Sequence, residues 1–404
     1  MPVCREPSYL RTVAFYLPQF HTIPENDEWW GEGFTEWVNV RRARPLFEGH
    51  MQPRVAGELG EYDLTQGDIL ARQSELARQS GIDGFCMYYY SFGGQRLLER
   101  PVEAWREDST LLPYCLAWAN ESWTRRWDGK SRSVLIAQTY DQGYAERLFA
   151  DLLPHFRAPH YLQQDGKPIL VVHRADHIPN ARAMARDLRA LALDAGFPGL
   201  HLVASETTPG LTPGPIDFDA IAEFPPVGAN TLASAMLKPL KDVDPKFRGR
   251  LMSYDKLRAR STSRREPNFV RYRGVAPGWD NAARRQEAAT VYVGSSPEKF
   301  AGWLSEAQSA ERAERGSAGL VFVNAWNEWA EGAYLEPDAL HGDEYLRAAS
   351  NPDDYRAADR DDRNPGPALW SVGQTRSVAL AAASSVLAVK RRVQNWLHAR
   401  KSKI

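Results

Sequence analysis

Residues 319–332 read GLVFVNAWNEWAEG, in which a short apolar run ends in amides, glutamates and tryptophans. An apolar run of this length is typical of a strand that is buried on both faces. Seven similar runs precede it, and helix-sized intervals separate most of them. The eight predicted strands cover residues 12–17, 82–90, 112–118, 168–173, 200–205, 219–224, 270–276 and 319–325.

Strands that alternate with helices predict βαβ units and a parallel sheet. Eight such units close naturally into a (β/α)8 barrel of the TIM type, whose active site lies at the carboxyl ends of the strands. Several predicted strands do end in polar residues, among them Asn120, Glu223 and Asn327. The alternative is a doubly wound open sheet, although no Gly-rich GxGxxG turn follows the first predicted strand.

Two regions are expected in the 404 residues. Residues 1–345 would form a catalytic barrel, in which the long segment 18–64 after the first strand caps the barrel mouth. Residues 346–404 would form a C-terminal helical extension that ends in a basic helix. That helix is either an amphipathic helix in peripheral contact with an anionic membrane, or a solvated helix that packs on the barrel.

The composition argues against several classes of function. A formal net charge of −1 gives no sign of a nucleic-acid partner. Cys4, Cys86 and Cys115 match neither a metal-ligand spacing nor a disulfide framework, and the histidines are scattered. We therefore predict no metal and no cofactor.

The sequence contains no recognisable targeting signal. No signal-peptide core precedes the first predicted strand, and no run of about 20 apolar residues occurs. Together with free cysteines, this predicts a cytoplasmic protein, either free or at the inner face of the membrane.

The aromatic residues indicate a sugar ligand. Thirteen tryptophans and sixteen tyrosines cluster with Asn, Asp, Glu and His rather than in purely apolar runs. A sugar presents flat C–H faces and a rim of hydroxyls, so its site combines rings with carboxylates and amides. Core packing is the alternative role for any single ring. The pattern predicts a glycan or a sugar-linked substrate.

Glu328 and Glu331 are the predicted catalytic carboxylates. Cleavage of a glycosidic bond needs one group that protonates the leaving oxygen and another that handles charge at the sugar carbon. On a tight turn after the eighth strand, both side chains can point into one pocket; the alternative is an exposed acidic turn. Glu121 is the main rival, and the nearby Arg125 and Arg126 either bind an anion or pair with local acids.

A longer set of motifs resembles the WbsX-type glycosyltransferase family. It comprises FYLPQFH at 15–21, IPEND at 23–27, WWG at 29–31, GFTEW at 33–37, GIDGF at 81–85, WANE at 118–121, WDG at 127–129 and PGWDN at 277–281. The motifs occur in the family's order, and the resemblance runs from about residue 11 to 338.

That family is similar to glycoside hydrolase family 99, a (β/α)8 group of retaining endo-α-mannosidases. The resemblance implies that Glu328 helps the 2-hydroxyl of the sugar attack the anomeric carbon, and that Glu331 acts as general acid and then as base. Ala330 stands where the hydrolases carry a histidine, which puts their specificity in doubt for this chain. The predicted substrate-binding residues are Tyr16, Gln19, His21, Trp37, Tyr89, Trp118, Asn120, Glu121, Trp123, Asp128, Glu223, Trp279, Asp280, Asn324, Trp326, Asn327 and Trp329.

Three functions remain open at this level. The first is a glycosyltransferase of surface-polysaccharide or lipopolysaccharide (O-antigen) assembly, which the family implies. The second is a hydrolase or transglycosidase that cleaves an α-linked glycan, which the glutamate pair favours. The third is a glycan-binding barrel without catalysis, which would have no need for both Glu328 and Glu331.

Overall fold

The structure is a computed structural model that describes residues 9–124, 134–356 and 372–401. Eight parallel strands form a closed barrel. In chain order they are β1 Arg11–Tyr16, β2 Gly84–Phe92, β3 Tyr114–Trp118, β4 Lys167–Val172, β5 His201–Ser205, β6 Ala220–Ala222, β7 Val270–Val275 and β8 Leu320–Val323. Each strand pairs in parallel with the next, and β1 closes the barrel by pairing with both β2 and β8. The predicted barrel is confirmed, and the open sheet is excluded.

Helices cover the outside of the barrel and continue beyond β8. They are α1 Pro24–Trp30, α2 Glu36–Arg42, α3 Ile69–Gln79, α4 Glu99–Glu107, α5 Tyr144–Phe156, α6 Ala181–Asp194, α7 Pro213–Ile216, α8 Tyr254–Thr262, α9 Ala282–Arg285, α10 Pro297–Arg315, α11 Glu344–Ser350, α12 Pro352–Arg356 and α13 Val372–Lys401. Two of the longer helices begin at side-chain caps: Ser296 caps α10 ahead of a proline, and Asn180 caps α6 by accepting from Ala183 N.

Further short strands lie in the connections between the barrel strands and after β8. Arg250–Ser253 pairs in parallel with Thr290–Val293, and three antiparallel pairs join Trp123–Thr124 to Val134–Ile136, Asn327–Glu328 to Ala333–Tyr334, and Gln95–Leu97 to β2. Gln163–Gln164 also pairs with β4.

The strands alternate inward and outward faces, as β geometry requires. On β1, the Phe15 ring lies inside the barrel against Phe224 and Phe322, with ring centroids 5.0 and 5.6 Å away. The next residue, Tyr16, faces the helices and donates its hydroxyl to Gln73 on α3 at 2.6 Å. The barrel interior is therefore a packed core, and the site must lie at its mouth.

The cap segment (residues 18–64) carries α1 and α2. Backbone bonds within the segment hold its later parts against the residues that follow β1: Glu36 N donates to Gln19 O at 3.3 Å, and Leu64 N donates to Phe20 O at 2.9 Å. These bonds place the first turn of α2 over the barrel mouth, as predicted for the cap segment.

Helix α13 packs by its first half on the connection between β6 and β7. Gln374 accepts from Leu240 N at 3.0 Å, and Ser377 accepts from Leu251 N at 2.6 Å. Further along, Val386 and Leu387 are exposed. The side chains of residues 391–401, and hence most of the predicted basic face, lie outside the described residues. Across the described ranges, no helix is long and apolar enough to span a bilayer.

Candidate active site

The chain turns sharply as it leaves β8, and this turn sets the two glutamates. Asn327–Glu328 pairs with Ala333–Tyr334 as a small hairpin, with a 3-10 turn at Trp329–Glu331 between them. The Asn327 side chain accepts from Leu17 N at 2.7 Å and donates to Leu17 O at 3.0 Å, which fixes the hairpin to the end of β1. Glu328 and Glu331 thus stand at the two ends of one turn.

One guanidinium group joins the two glutamates. Arg284, on α9, donates to Glu328 Oε2 at 3.0 Å and to Glu331 Oε1 at 2.8 Å. Its Nε donates to Glu36 Oε2 of the cap segment at 3.2 Å. We call these four residues the carboxylate cluster. It gathers three carboxylates around one positive charge, from three separate parts of the chain.

Burial and charge perturb the protonation of the pair. Burial raises the pKa of Glu328 to about 8, against the attraction of Arg284, and the charge of Glu331 adds to the rise. Burial also raises the pKa of Glu331, and Arg284 again opposes it. Because the two groups interact, they titrate as a pair. The pair therefore keeps a proton to higher pH than isolated glutamates would, which favours acid–base chemistry near neutral pH.

A buried carboxylate supports the turn from below. Glu336 accepts from Trp329 Nε1 at 2.6 Å, from Tyr62 Oη at 2.8 Å and from Gln73 Nε2 at 2.6 Å. The Trp329 ring stacks on Tyr334, with centroids 3.9 Å apart. Trp329, predicted to bind substrate, therefore holds the turn in place from within the core.

Asp280 supports the turn from the other side. It accepts from His50 Nε2 at 2.8 Å and from Gln52 Nε2 at 2.5 Å, while its backbone N–H donates to Glu331 O at 2.6 Å. Burial alone would raise the pKa of Asp280, but the bond to His50 and the charge of Arg54 hold it below its usual range. Asp280 therefore bonds within the protein, and its role as a sugar ligand stays a prediction.

A cavity of about 710 Å³ opens beside the carboxylate cluster, and Glu36 and Arg284 line both. We call it the mouth cavity. Of the predicted substrate-binding residues, it contains Gln19 and Trp123. The buried Gln19 Oε1 and Glu36 Oε1 have no hydrogen-bond partner in the described part of the protein, so a ligand hydroxyl could satisfy them.

Aromatic rings lead from the barrel core into the mouth cavity. The Tyr90 ring lies 5.2 Å from Trp123, which lies 5.7 Å from Trp29 of the cap segment. Trp30 and Phe34 also line the cavity. Rings beside amides and carboxylates are what a sugar site requires.

Most other predicted substrate-binding residues are occupied with contacts inside the protein. Trp37 packs on Trp329 at 5.3 Å, and Trp118 stacks on Tyr144 at 5.5 Å. The other buried members of the set form hydrogen bonds to, or pack on, neighbouring groups of the protein. They are Tyr16, His21, Asn120, Asn324, Trp326 and Asn327. Trp279 is half-buried.

Glu121, the rival for the catalytic pair, and Glu223, a predicted substrate-binding residue, lie in other networks. Glu121 is ion-paired with Arg174, and its side chain is 44% exposed. Glu223 is buried beside Arg264 and Arg271, at 3.0 and 3.1 Å. None of these partners belongs to the carboxylate cluster. Asp128, with Arg125 and Arg126, lies outside the described residues.

Comparison with known sequences identifies the family. The pattern of the family described as Glycosyltransferase WbsX matches residues 12–349, most of the chain. This chain belongs to the WbsX glycosyltransferase family. The predicted resemblance is confirmed, and it places the chain in a family of enzymes that act on carbohydrates.

A related sequence and two solved structures extend the comparison. The uncharacterized protein WxcX of Xanthomonas campestris pv. campestris is 43% identical over 338 residues, or 83% of this chain. The chain spans about half, 48%, of the length of that relative.

The solved structures are similar in fold. A glycoside hydrolase-like protein has a TM-score of 0.53 at 15% identity and covers 87% of this chain and 96% of its own. The family 99 endo-α-mannosidase of Bacteroides thetaiotaomicron has a TM-score of 0.51 at 13% identity, with 86% and 98% covered.

Two tyrosines of this WbsX-family chain were missed by the sequence reasoning. On β2, Tyr89 was predicted, but its ring faces outward and lies 4.8 Å from the Arg96 guanidinium. Its neighbours Tyr88 and Tyr90 lie on the other face of the strand: the Tyr88 ring lies 5.8 Å from Phe15 inside the barrel, and the Tyr90 ring lies 5.2 Å from Trp123 of the mouth cavity. Burial and then the charge of Glu328 raise the pKa of both hydroxyls. The run of three tyrosines does not indicate which side chains point into the barrel. The register with which the strand joins the barrel decides which of them do so.

The carboxylates and histidines of the chain do not form a metal site in the described residues. Within the described ranges, no group of three or more His, Cys, Asp or Glu side chains is arranged to hold a metal ion.

Proposed function

We propose that this WbsX-family chain is a glycosyltransferase of surface-polysaccharide or lipopolysaccharide (O-antigen) assembly, with Glu328 and Glu331 as its catalytic carboxylates. The observation that carries the proposal is the carboxylate cluster. Both glutamates contact one guanidinium at 3.0 and 2.8 Å, at the mouth of a barrel and beside an aromatic-lined cavity.

The cluster supports a chemical role for each carboxylate. Glu328 would accept a proton from the 2-hydroxyl of the sugar. Glu331, the more exposed of the two side chains at 22% against 7%, would protonate the leaving oxygen and then deprotonate the incoming hydroxyl. In the free protein burial raises the pKa of both carboxylates, so the pair keeps a proton to higher pH than isolated glutamates would. Since both groups contact Arg284, substrate binding can redistribute that proton within the pair.

A second candidate is a retaining hydrolase or transglycosidase similar to the endo-α-mannosidases. The similarity in fold to the Bacteroides thetaiotaomicron endo-α-mannosidase and the pair of glutamates favour it. Family membership favours transfer, because the family is described as one of glycosyltransferases. A non-catalytic glycan-binding barrel is a third candidate, and it would not need two carboxylates around one arginine.

Substitution of the two glutamates tests all three candidates. Purified wild type, Glu328→Gln and Glu331→Gln would each be incubated with α-mannan oligosaccharides, and separately with nucleotide sugars and lipid-linked acceptors, followed by mass spectrometry. We expect a gain in acceptor mass that falls at least about 1,000-fold in either variant, because each would lose one proton-transfer group.

The other outcomes discriminate between the candidates. Release of a shorter glycan that depends on Glu331 would establish hydrolysis instead of transfer. Full activity in both variants would overturn the assignment of the catalytic pair. Glu314→Gln is the matched control, because Glu314 is exposed and belongs neither to the cluster nor to the wall of the mouth cavity. Its activity should stay within about twofold of wild type.

We also propose that the reaction takes place in the cytoplasm, at the inner membrane face, with α13 as the contact. Exposed Val386, Leu387 and Val389 beside Lys390 support this contact. Co-sedimentation with vesicles that contain anionic lipid should fall several-fold on changing the three apolar residues to Ser. Equal binding by wild type and the triple variant would overturn the role of this patch.

A further inference from the structure

Four guanidinium groups line the mouth cavity. Arg42, Arg248, Arg284 and Arg285 line it, against the carboxylates of Glu36 and Glu287. These arginines come from the end of α2, from the loop before Arg250–Ser253, and from α9. A cavity that binds only a neutral glycan has no evident use for such an excess of positive charge.

Both carboxylates of the wall are already paired. Glu36 contacts Arg284 at 3.2 Å, and Glu287 is ion-paired with Arg44. Arg42, Arg248 and Arg285 have no carboxylate within ion-pair distance among the described residues, and all three are exposed to the solvent of the cavity mouth. Three unpaired positive charges from three separate segments therefore face one space.

We propose that the mouth cavity binds the diphosphate group of a sugar diphosphate, with Arg42, Arg248 and Arg285 as its ligands. Arginine presents a planar fork of donors that matches phosphate oxygens in two-point contacts. A single carboxylate would offer one charge to three guanidinium groups, whereas a diphosphate offers two to three charges and more acceptor oxygens. This inference rests on the proposed function and names the class of its substrate.

The position of the cavity relates the diphosphate to the reacting sugar. Arg284 and Glu36 belong both to the cavity wall and to the carboxylate cluster, so a diphosphate in the cavity lies beside the catalytic pair. Trp29, Trp30 and Trp123 supply rings on which a sugar can stack next to it. A nucleotide sugar and a polyprenyl-linked sugar share this diphosphate, and the cavity residues are suited to either.

Binding to charge-matched variants tests the inference. The cavity variant carries Arg42→Gln, Arg248→Gln and Arg285→Gln, and the control variant carries Arg157→Gln, Arg186→Gln and Arg312→Gln at exposed positions outside the cavity wall. Both lose three positive charges, so long-range attraction of anions changes equally. Melting temperatures of both variants would check that they fold.

The probes separate the sources of the diphosphate. Calorimetric titration would use inorganic pyrophosphate, UDP-glucose, GDP-mannose, a short-chain polyprenyl diphosphate sugar, a glucuronic acid oligosaccharide and a neutral mannotriose. We expect Kd for the diphosphates to rise about 10- to 100-fold in the cavity variant and to stay unchanged in the control variant. Whichever diphosphate sugar binds most tightly identifies the source.

Three results would overturn the inference: equal diphosphate affinity in wild type and the cavity variant, equal losses in both variants, or a loss confined to the glucuronic acid probe. The proposed function fails separately. If Glu331→Gln abolishes glycosyl chemistry while the cavity variant binds diphosphates normally, only the diphosphate assignment falls. If both glutamate variants stay active while the cavity variant loses diphosphate affinity, only the catalytic pair falls.

Discussion

Arg284 contacts Glu36, Glu328 and Glu331 through its single guanidinium group. Its side chain is 8% exposed, so the charges interact with little screening by solvent. An uncompensated buried carboxylate is costly, and it responds by holding its proton more strongly. The protonation of the proposed catalytic pair therefore depends on the balance between burial and the charge of this arginine.

Replacement of Arg284 should move the pH dependence of activity. In Arg284→Gln the pair loses its positive neighbour, so the pKa of both Glu328 and Glu331 rises further. We expect both limbs of the kcat–pH profile to shift upward by at least about one unit, with kcat reduced at least about tenfold.

Arg284→Lys keeps the charge but not the two-point geometry. It should keep the wild-type position of the profile at a lower kcat. The pH dependence of Tm in both variants gives a readout without substrate. A profile that stays in place in Arg284→Gln would show that the guanidinium does not set these protonation states.

At the scale of elements, the turn after β8 is positioned by close backbone contacts. Gly332 ends the turn with φ +58°, a conformation that favours glycine. A Cβ there would lie 2.9 Å from Asp280 Cβ and 3.1 Å from Arg54 Nη2. The turn and the Asp280 segment can approach each other only because residue 332 has no side chain.

Two glycine substitutions separate backbone strain from this packing. Gly342 has φ +57°, but a Cβ there would meet nothing within 4 Å. Gly342→Ala should lower the free energy of unfolding by about 1 kcal/mol, the cost of the left-handed conformation, with activity unchanged. Gly332→Ala should cost about 2–4 kcal/mol, because overpacking is added.

Gly332→Ala should also reduce activity at least about tenfold, since the clash displaces Asp280, whose N–H binds Glu331 O at 2.6 Å. Chemical denaturation and the glycosyl assay measure the two effects. Equal unfolding free energies for the two variants would contradict the predicted packing.

At the scale of the whole molecule, the buried site should make stability depend on pH. The pKa of Glu328 is raised to about 8 in the folded protein. At pH values above the ordinary pKa of a glutamate, folding is therefore coupled to the uptake of a proton. The stabilising contribution of this group is full below pH about 4.5 and is lost as the pH rises through about 8.

Glu328→Gln removes this titration and should be less sensitive to pH. Between pH 5 and 9, wild type should lose about 1–3 kcal/mol of unfolding free energy relative to Glu328→Gln. Glu314→Gln, at an exposed position, serves as the control and should follow wild type. A parallel decline of wild type and Glu328→Gln would show that Glu328 does not carry the effect.

Local sequence determined the order and type of the barrel strands. Each predicted strand is an apolar run bounded by turns, and the eight runs correspond to β1–β8. The spacing of Glu328 and Glu331 likewise placed them on one turn, because three residues span a single 3-10 turn. These features depend on interactions between near neighbours in the chain, which composition and spacing record directly.

Tertiary structure alone decided the rest of the site. Arg284 and Glu36 meet across 248 residues of sequence, and no local pattern announces that ion pair. The inward face of β2, which presents Tyr88 and Tyr90 rather than Tyr89, depends on the phase with which the strand joins the barrel. A residue's contacts across the barrel follow from closure of the whole sheet. The sequence by itself therefore determined the scaffold and the spacing of the two glutamates. Only the folded barrel decided which residues surround them.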